Sequence, residues 1–235
     1  MKIVTTFFLL GVAAILLATS KTYTDLITFR FYQDDFLNTI AKHQIFAIIV
    51  AIIVVLAILK LNVYSKAFLK IGQLNILADR EKWLGINGNT SWKKNGLQLL
   101  LFVSIPTSIF MFLAVKYTNN IGNFHWSSVP LIVLFSLTNS MAEELIFRFG
   151  IVGGFFDHFP KSTIMLISAI LFGLPHFFGW PSGFVGVCMA GLLGYILCKA
   201  TIETKGLGIA FGIHFLQDII IFTALFMMNV KSNNF

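Results

Sequence analysis

Six ionisable residues stand inside runs that are otherwise apolar. They are Glu143, Glu144 and Arg148 in Met141-Ala-Glu-Glu-Leu-Ile-Phe-Arg148, His176 in Phe172-Gly-Leu-Pro-His176, and His214 and Asp218 in His214-Phe-Leu-Gln-Asp218. Carboxylates and imidazoles are the groups that move protons near neutral pH, activate water and ligate zinc. In a hydrocarbon setting each costs about 2.5–3.5 kcal/mol at mid-bilayer, so each needs a reason. Spacing sorts them. Glu144 and Arg148 are four apart, share a helix face and form an ion pair that locks the helix. Glu143 lies about 100° round from Glu144 and lacks that partner, which makes it costly as structure and suited to act as a general base. His176 follows Pro175, whose missing N–H frees the carbonyl of Leu171 and predicts a kink; Phe172, one turn earlier, packs over the imidazole. His214 and Asp218 again share a face. Either Asp218 orients the ring, or the two ligate one metal ion at the spacing that paired histidines use in helical zinc sites.

The elements that hold these groups are membrane helices. The chain is 57% hydrophobic and 11% charged, with a mean hydropathy of +0.85. A soluble domain is nearer one quarter charged. Apolar runs near 3–20, 43–62, 97–116, 128–156, 163–179, 184–199 and 206–229 predict an all-α, polytopic transmembrane helix bundle of about seven helices. The fourth run exceeds a perpendicular span and is expected to be tilted or broken. Between the fifth and sixth, Phe178-Gly-Trp-Pro-Ser-Gly183 reads as a tight turn with an interfacial Trp180. The first run follows Lys2, and Ala18-Thr19-Ser20 resembles a signal cleavage site, but its near-spanning length favours an uncleaved helix. No ionisable group comparable to the six lies inside the first, second, third or sixth run. Gly186, Ala190 and Gly194 form a small-residue stripe for close helix approach, and Gly150, Gly153 and Gly154 read the same way.

The formal charge of +7 is concentrated between the second and third runs, in Lys60, Lys66, Lys70, Arg80, Lys82, Lys93 and Lys94. A loop at the membrane surface on the cytoplasmic side explains that better than a nucleic-acid face. It places residues 63–96 and the N-terminus on the cytoplasmic side of the cell membrane and segment 21–42 on the outside, with part of 63–96 available for an interfacial helix. Cys188 and Cys198 lie in one run, too far apart to pair.

Depth supplies an independent test. Counted from inner ends at 156, 163 and 205, Glu143 and His176 lie roughly 20 Å deep and His214 roughly 14 Å. Three helices thus bring carboxylate and imidazole to similar levels, a coincidence that scattered structural residues have no reason to show.

Taken in order, Glu143-Glu144-x-x-x-Arg148, Phe172-x-x-x-His176 and His214-x-x-x-Asp218 resemble the motifs of the CPBP family of intramembrane proteases. That family includes the type II CAAX prenyl endopeptidases and the bacterial Abi or bacteriocin-immunity proteins. The resemblance covers about residues 125–230. It implies a catalytic core over 125–235, preceded by membrane helices and the basic loop over 1–124, and an endopeptidase site within the bilayer reached from the cytoplasmic side. By that resemblance Glu143 and His176 activate the attacking water while His214 and residue 218 stabilise the oxyanion. Asp218 departs from the prenyl-endopeptidase pattern, which has Asn there. An ionised carboxylate repels an oxyanion, so Asp218 must be protonated, or orient His214, or bind a metal. A zinc ion held by Glu143, His176 and His214 is the alternative to metal-independent catalysis. Expected partners are a peptide or membrane-protein substrate and the lipid bilayer, with no nucleic acid. Bacteriocin immunity and peptide maturation are the roles the resemblance suggests in a bacterium. A non-catalytic scaffold binding a partner through the same pocket is the competing class. A proton-coupled transporter is disfavoured by the absence of visible repeat symmetry.

Overall fold

A computed structural model describes residues 2–118, 124–179 and 182–229. Seven apolar helices carry the fold: α1 (Lys2–Ala18), α2 (Asp35–Leu61), α3 (Trp92–Tyr117), α4 (Trp126–Phe155), α5 (Lys161–Phe177), α6 (Gly183–Thr204) and α7 (Gly208–Asn229). Five of them, α2, α3, α4, α6 and α7, are long and apolar enough to cross a bilayer; α1 and α5 are shorter. The all-α bundle is as expected, and the chain is a multi-pass membrane protein. Trp180, Pro181 and Lys231 lie outside the described residues.

Several boundaries move. Helix α2 starts eight residues before the predicted run, because Asp34 caps it by accepting from the Leu37 N–H at 2.9 Å. Part of segment 21–42 is therefore helical, and His43 and Gln44 sit inside a span that was expected to have no such group. Helix α6 runs on to Thr204, where Lys205 turns left-handed at φ 54°, so Lys199 is buried within it rather than at a loop. In α5, Pro175 lies where the regular helix ends at Gly173 and the last turn, Leu174–Phe177, is a 3-10 segment. Helix α4 is neither broken nor regular, since residues Glu144–Phe149 form a wider π turn within it.

Helices α1 and α2 seat against the glycine face of α4. A side chain at Gly150 would meet Leu10 and Val54, at Gly153 Ser65 and Ile58, and at Gly154 Thr6. Buried Leu10, Val54, Ile58, Ile146, Phe149 and Phe155 fill the seam. Helices α5 and α6 approach as closely, Gly194 against the Ser168 carbonyl and Gly173 against Gly191. Phe8, Ile52, Leu56, Ile109 and Phe112 stay exposed on the outer faces of α1 to α3, where lipid covers them.

The stretch 63–91 holds two 3-10 turns, Val63–Phe68 and Lys82–Leu84, and two isolated β-bridges, not an interfacial helix. It docks onto the ends of α5, α6 and α7. Gly72 (φ +89°) lies so close to Thr204 and Gly206 that no side chain fits there. Glu203 is the anchor. It pairs with Lys161 and with Lys199 (2.7 Å), and accepts from the Trp92 indole (2.7 Å) and the Asp79 amide (2.9 Å). Lys161 also pairs with Asp79, whose carboxyl it holds below its usual range. That contact is present above the ordinary carboxylate range and is lost as pH falls through the lowered value. Replacing Glu203 by Leu leaves the buried Lys199 with the more distant Glu81, at 3.5 Å, and is expected to cost about 3 kcal/mol, read as a lowered melting temperature in detergent. Adding Lys199→Met should restore most of it. An unchanged melting temperature in the single variant would remove Glu203 as the anchor.

Candidate active site

The site is assembled around His214 of α7. Its Nδ1 lies 2.8 Å from Glu144 Oε1, and because a carboxylate accepts, Nδ1 carries the proton of that bond. Glu144 is also 3.1 Å from the fully buried Arg148 guanidinium. The predicted Glu144–Arg148 pair is thus present, with a second duty that spacing on one helix does not reveal: it fixes the rotation of His214. The other ring nitrogen, Nε2, faces Glu143 Oε2 at 3.4 Å and Asp218 Oδ1 at 3.7 Å. Asp218 is therefore beyond hydrogen-bond reach of the imidazole, and the orienting bond belongs to Glu144.

The carboxylates are tied together by Asn139, one turn before Glu143. Its amide donates to Glu143 Oε1 (3.3 Å) and Asp218 Oδ2 (3.2 Å), and its carbonyl oxygen accepts from Gln44 of α2 (3.2 Å). Neither Asn139 nor Gln44 belongs to the three sequence motifs. The i, i+4 relation of Asn139 to Glu143 was the available signal. Glu143 Oε2 makes no hydrogen bond within the described protein, which leaves it able to accept from a water.

His176 is held by its own backbone. The Phe172 carbonyl can only accept, so the 2.8 Å contact puts the proton on Nδ1 and the lone pair of a neutral ring on Nε2. Phe172 is the common wall. Its ring is 4.8 Å from that of His176 and edge-on at 5.5 Å to that of His214, and the Arg148 guanidinium stacks 4.0 Å from its centre. Such a cation–π contact contributes about 0.5–2 kcal/mol. The ring also covers the Arg148–Glu144 pair.

Two cavities meet here. One, of about 370 Å³, lies between α3, α6 and α7, with Phe102, Pro106, Met189, Leu193 and Ile221 in its wall. The other, of about 520 Å³, is bounded by the short helix Ser20–Thr24, α2 and the end of α5. Asn139, Glu143 and His176 line both.

Glu143, His176 and His214 are of the right types for a His₂Glu zinc site. As they stand, the described residues contain no group of three His, Cys, Asp or Glu side chains arranged to hold one ion, and no catalytic step below is routed through a metal.

The fold and site define a multi-pass membrane protein with a carboxylate–imidazole centre buried among four helices. Residues 125–220 match the family model described as Type II CAAX prenyl endopeptidase Rce1-like, the kind of intramembrane protease that the motifs resemble. Members of that family are CAAX-type endopeptidases. No curated protein and no solved structure is matched by the chain.

Proposed function

We propose that this protein hydrolyses peptide bonds of membrane-associated or peptide substrates, with Glu143 and His176 activating water. The observation that carries the reading is Glu143 Oε2, an acceptor left open 3.4 Å from His214 Nε2 where two cavities that His176 also lines meet. Glu143 takes a proton from water as the water oxygen bonds to the peptide carbonyl carbon and the carbonyl electron pair moves onto its oxygen. His176 Nε2 accepts from the same water and aligns it. His214, held by Glu144, presents Nε2 toward the oxyanion when that nitrogen is protonated. Collapse of the intermediate breaks the C–N bond, and the proton held by Glu143 passes to the leaving nitrogen. Asp218, bound by Asn139, sets the position of that amide and needs no direct role at the oxyanion. The basic 63–96 stretch is proposed to face the cytoplasm of a cell-membrane protein, with Lys2 on the same side. Bacteriocin immunity and peptide maturation are the biological roles proposed for it.

The test is cleavage of a mixed set of apolar peptides by purified protein in vesicles, with metal content measured and activity compared before and after chelation. Cleavage that survives removal of all bound metal is the expected result. Loss on chelation with recovery on adding zinc would replace the mechanism with the zinc alternative. No cleavage of any peptide would favour the non-catalytic scaffold.

A further inference from the structure

The cavities on either side of Glu143 differ in the helices that wall them and in the polar side chains those helices bring. The cavity between α3, α6 and α7 is walled by aliphatic and aromatic side chains apart from the site itself, Thr107 and Gln217. The other also has apolar wall residues, Leu17, Ile40, Phe147 and Phe178 among them, but receives in addition Ser20, Lys21, Thr24, Thr39, His43 and Gln44, which lie before residue 125 and outside the family-matched segment. Those polar groups are organised: Ser20 Oγ and His43 Nδ1 are 2.8 Å apart, and Gln44 reaches Asn139. Lys21, Thr39 and Phe178 are exposed at its rim, while Gln44 is buried at its floor. The rim lies at the end of the bundle away from residues 63–96, since Ser65 and Ile58 sit beside Gly153 at the other end.

We infer that the reactants reach the site from opposite sides: the apolar segment of the substrate occupies the α3–α6–α7 cavity, and water arrives through the polar vestibule built by the N-terminal helices. The inference rests on Glu143 being the base. A hydrolase inside hydrocarbon needs a wetted path for its second reactant, and polar side chains at membrane depth are tolerated where they line water. A volume of about 520 Å³ far exceeds the roughly 10–15 Å³ one water requires. A single apolar channel would have to carry water past the bound peptide; two walls meeting at Glu143 remove that conflict. The vestibule's position also sets its side. It opens on the face opposite the basic loop, whereas the family resemblance alone implies approach from the cytoplasm.

The experiment uses full-length protein in vesicles with exposed Cys188 changed to Ser, leaving buried Cys198. Thr39→Cys and Met189→Cys are each treated with a small charged methanethiosulfonate, and labelling is quantified by mass spectrometry. Cleavage of a quenched fluorogenic apolar peptide is compared before and after treatment of the same variant. Labelling at position 39 should lower kcat about tenfold with KM unchanged, and labelling at 189 should raise KM. A raised KM from position 39, unchanged kinetics after full labelling there, or failure of position 39 to label would each overturn the two-sided arrangement. Glu143→Gln assayed in parallel keeps the two ideas apart. Full activity in that variant removes the base, whatever the labels do.

Discussion

Glu143→Gln protein is expected to accumulate and melt like the parent and to cleave peptides about 10²–10⁴-fold more slowly, the range lost with a positioned general base. The substitution is nearly isosteric, and Glu143 Oε1 accepts only from Asn139. A glutamine can offer its carbonyl oxygen to the same amide, so the network around His214 stays intact. What disappears is the ability to take a proton at the open oxygen. Neighbouring Glu144 should behave differently. It holds His214 and lies against Arg148 at 1% exposure, so its loss leaves a buried guanidinium uncompensated and lowers stability together with activity. A Glu143→Gln protein that cleaves at the parental rate, or one that no longer folds, would break the assignment. The readouts are kcat on a defined peptide and the melting temperature in detergent.

The second large effect is at Asn139. Asn139→Leu keeps the branched shape but removes the donor shared by Glu143 and Asp218 and the acceptor used by Gln44. Leaving buried polar groups without partners costs about 1–3 kcal/mol per group, enough for a loss of roughly 10–100-fold in kcat, with KM little changed because the peptide lies against other walls. Asn139 acts through the carboxylates it holds, so a reciprocal exchange separates position from mere packing. Asn139→Asp combined with Asp218→Asn again sets one amide against one carboxylate across α4 and α7, with the donor on the other side. The exchange should recover much of what Asn139→Asp alone loses by facing a third carboxylate. A double variant as inactive as that single one would show that the α4–α7 bond does not govern the rate.

The apolar runs announced the bundle because spanning length and hydropathy are properties of contiguous sequence. The agreement of Glu143, His176 and His214 in depth was legible because helical rise converts residue counts into ångströms. Lys199 and Glu203, four apart, could have been paired from spacing, but a run judged to end at 199 hid the second half. His43 and Gln44 stand at the very start of the apolar run 43–62 and read as its polar edge; the earlier Asp34 cap is what places them inside the helix. The π turn at Glu144–Phe149 had no local signature. Residues in α and π turns share the same propensities, and the wider turn is held by partners elsewhere in the chain: His214 on Glu144 and Phe172 on Arg148. Spacing of i, i+4 leaves Asp218 open between orienting His214 and sharing a metal with it, and does not show that Asn139 from another helix bonds to it.

The bond from Gln44 to Asn139 spans 95 residues of chain, and synthesis runs in one direction. At about 5–20 residues per second, the α1–α2 hairpin waits roughly 5–20 s in the membrane before its partner on α4 exists. During that interval Gln44 and His43 face lipid or the insertion machinery without Asn139. The glycine face of α4, cut to fit Leu10, Val54 and Thr6, then closes a slot already built. A nascent chain truncated before α4 should therefore present a polar-marked helix pair that membrane quality control can recognise as incomplete.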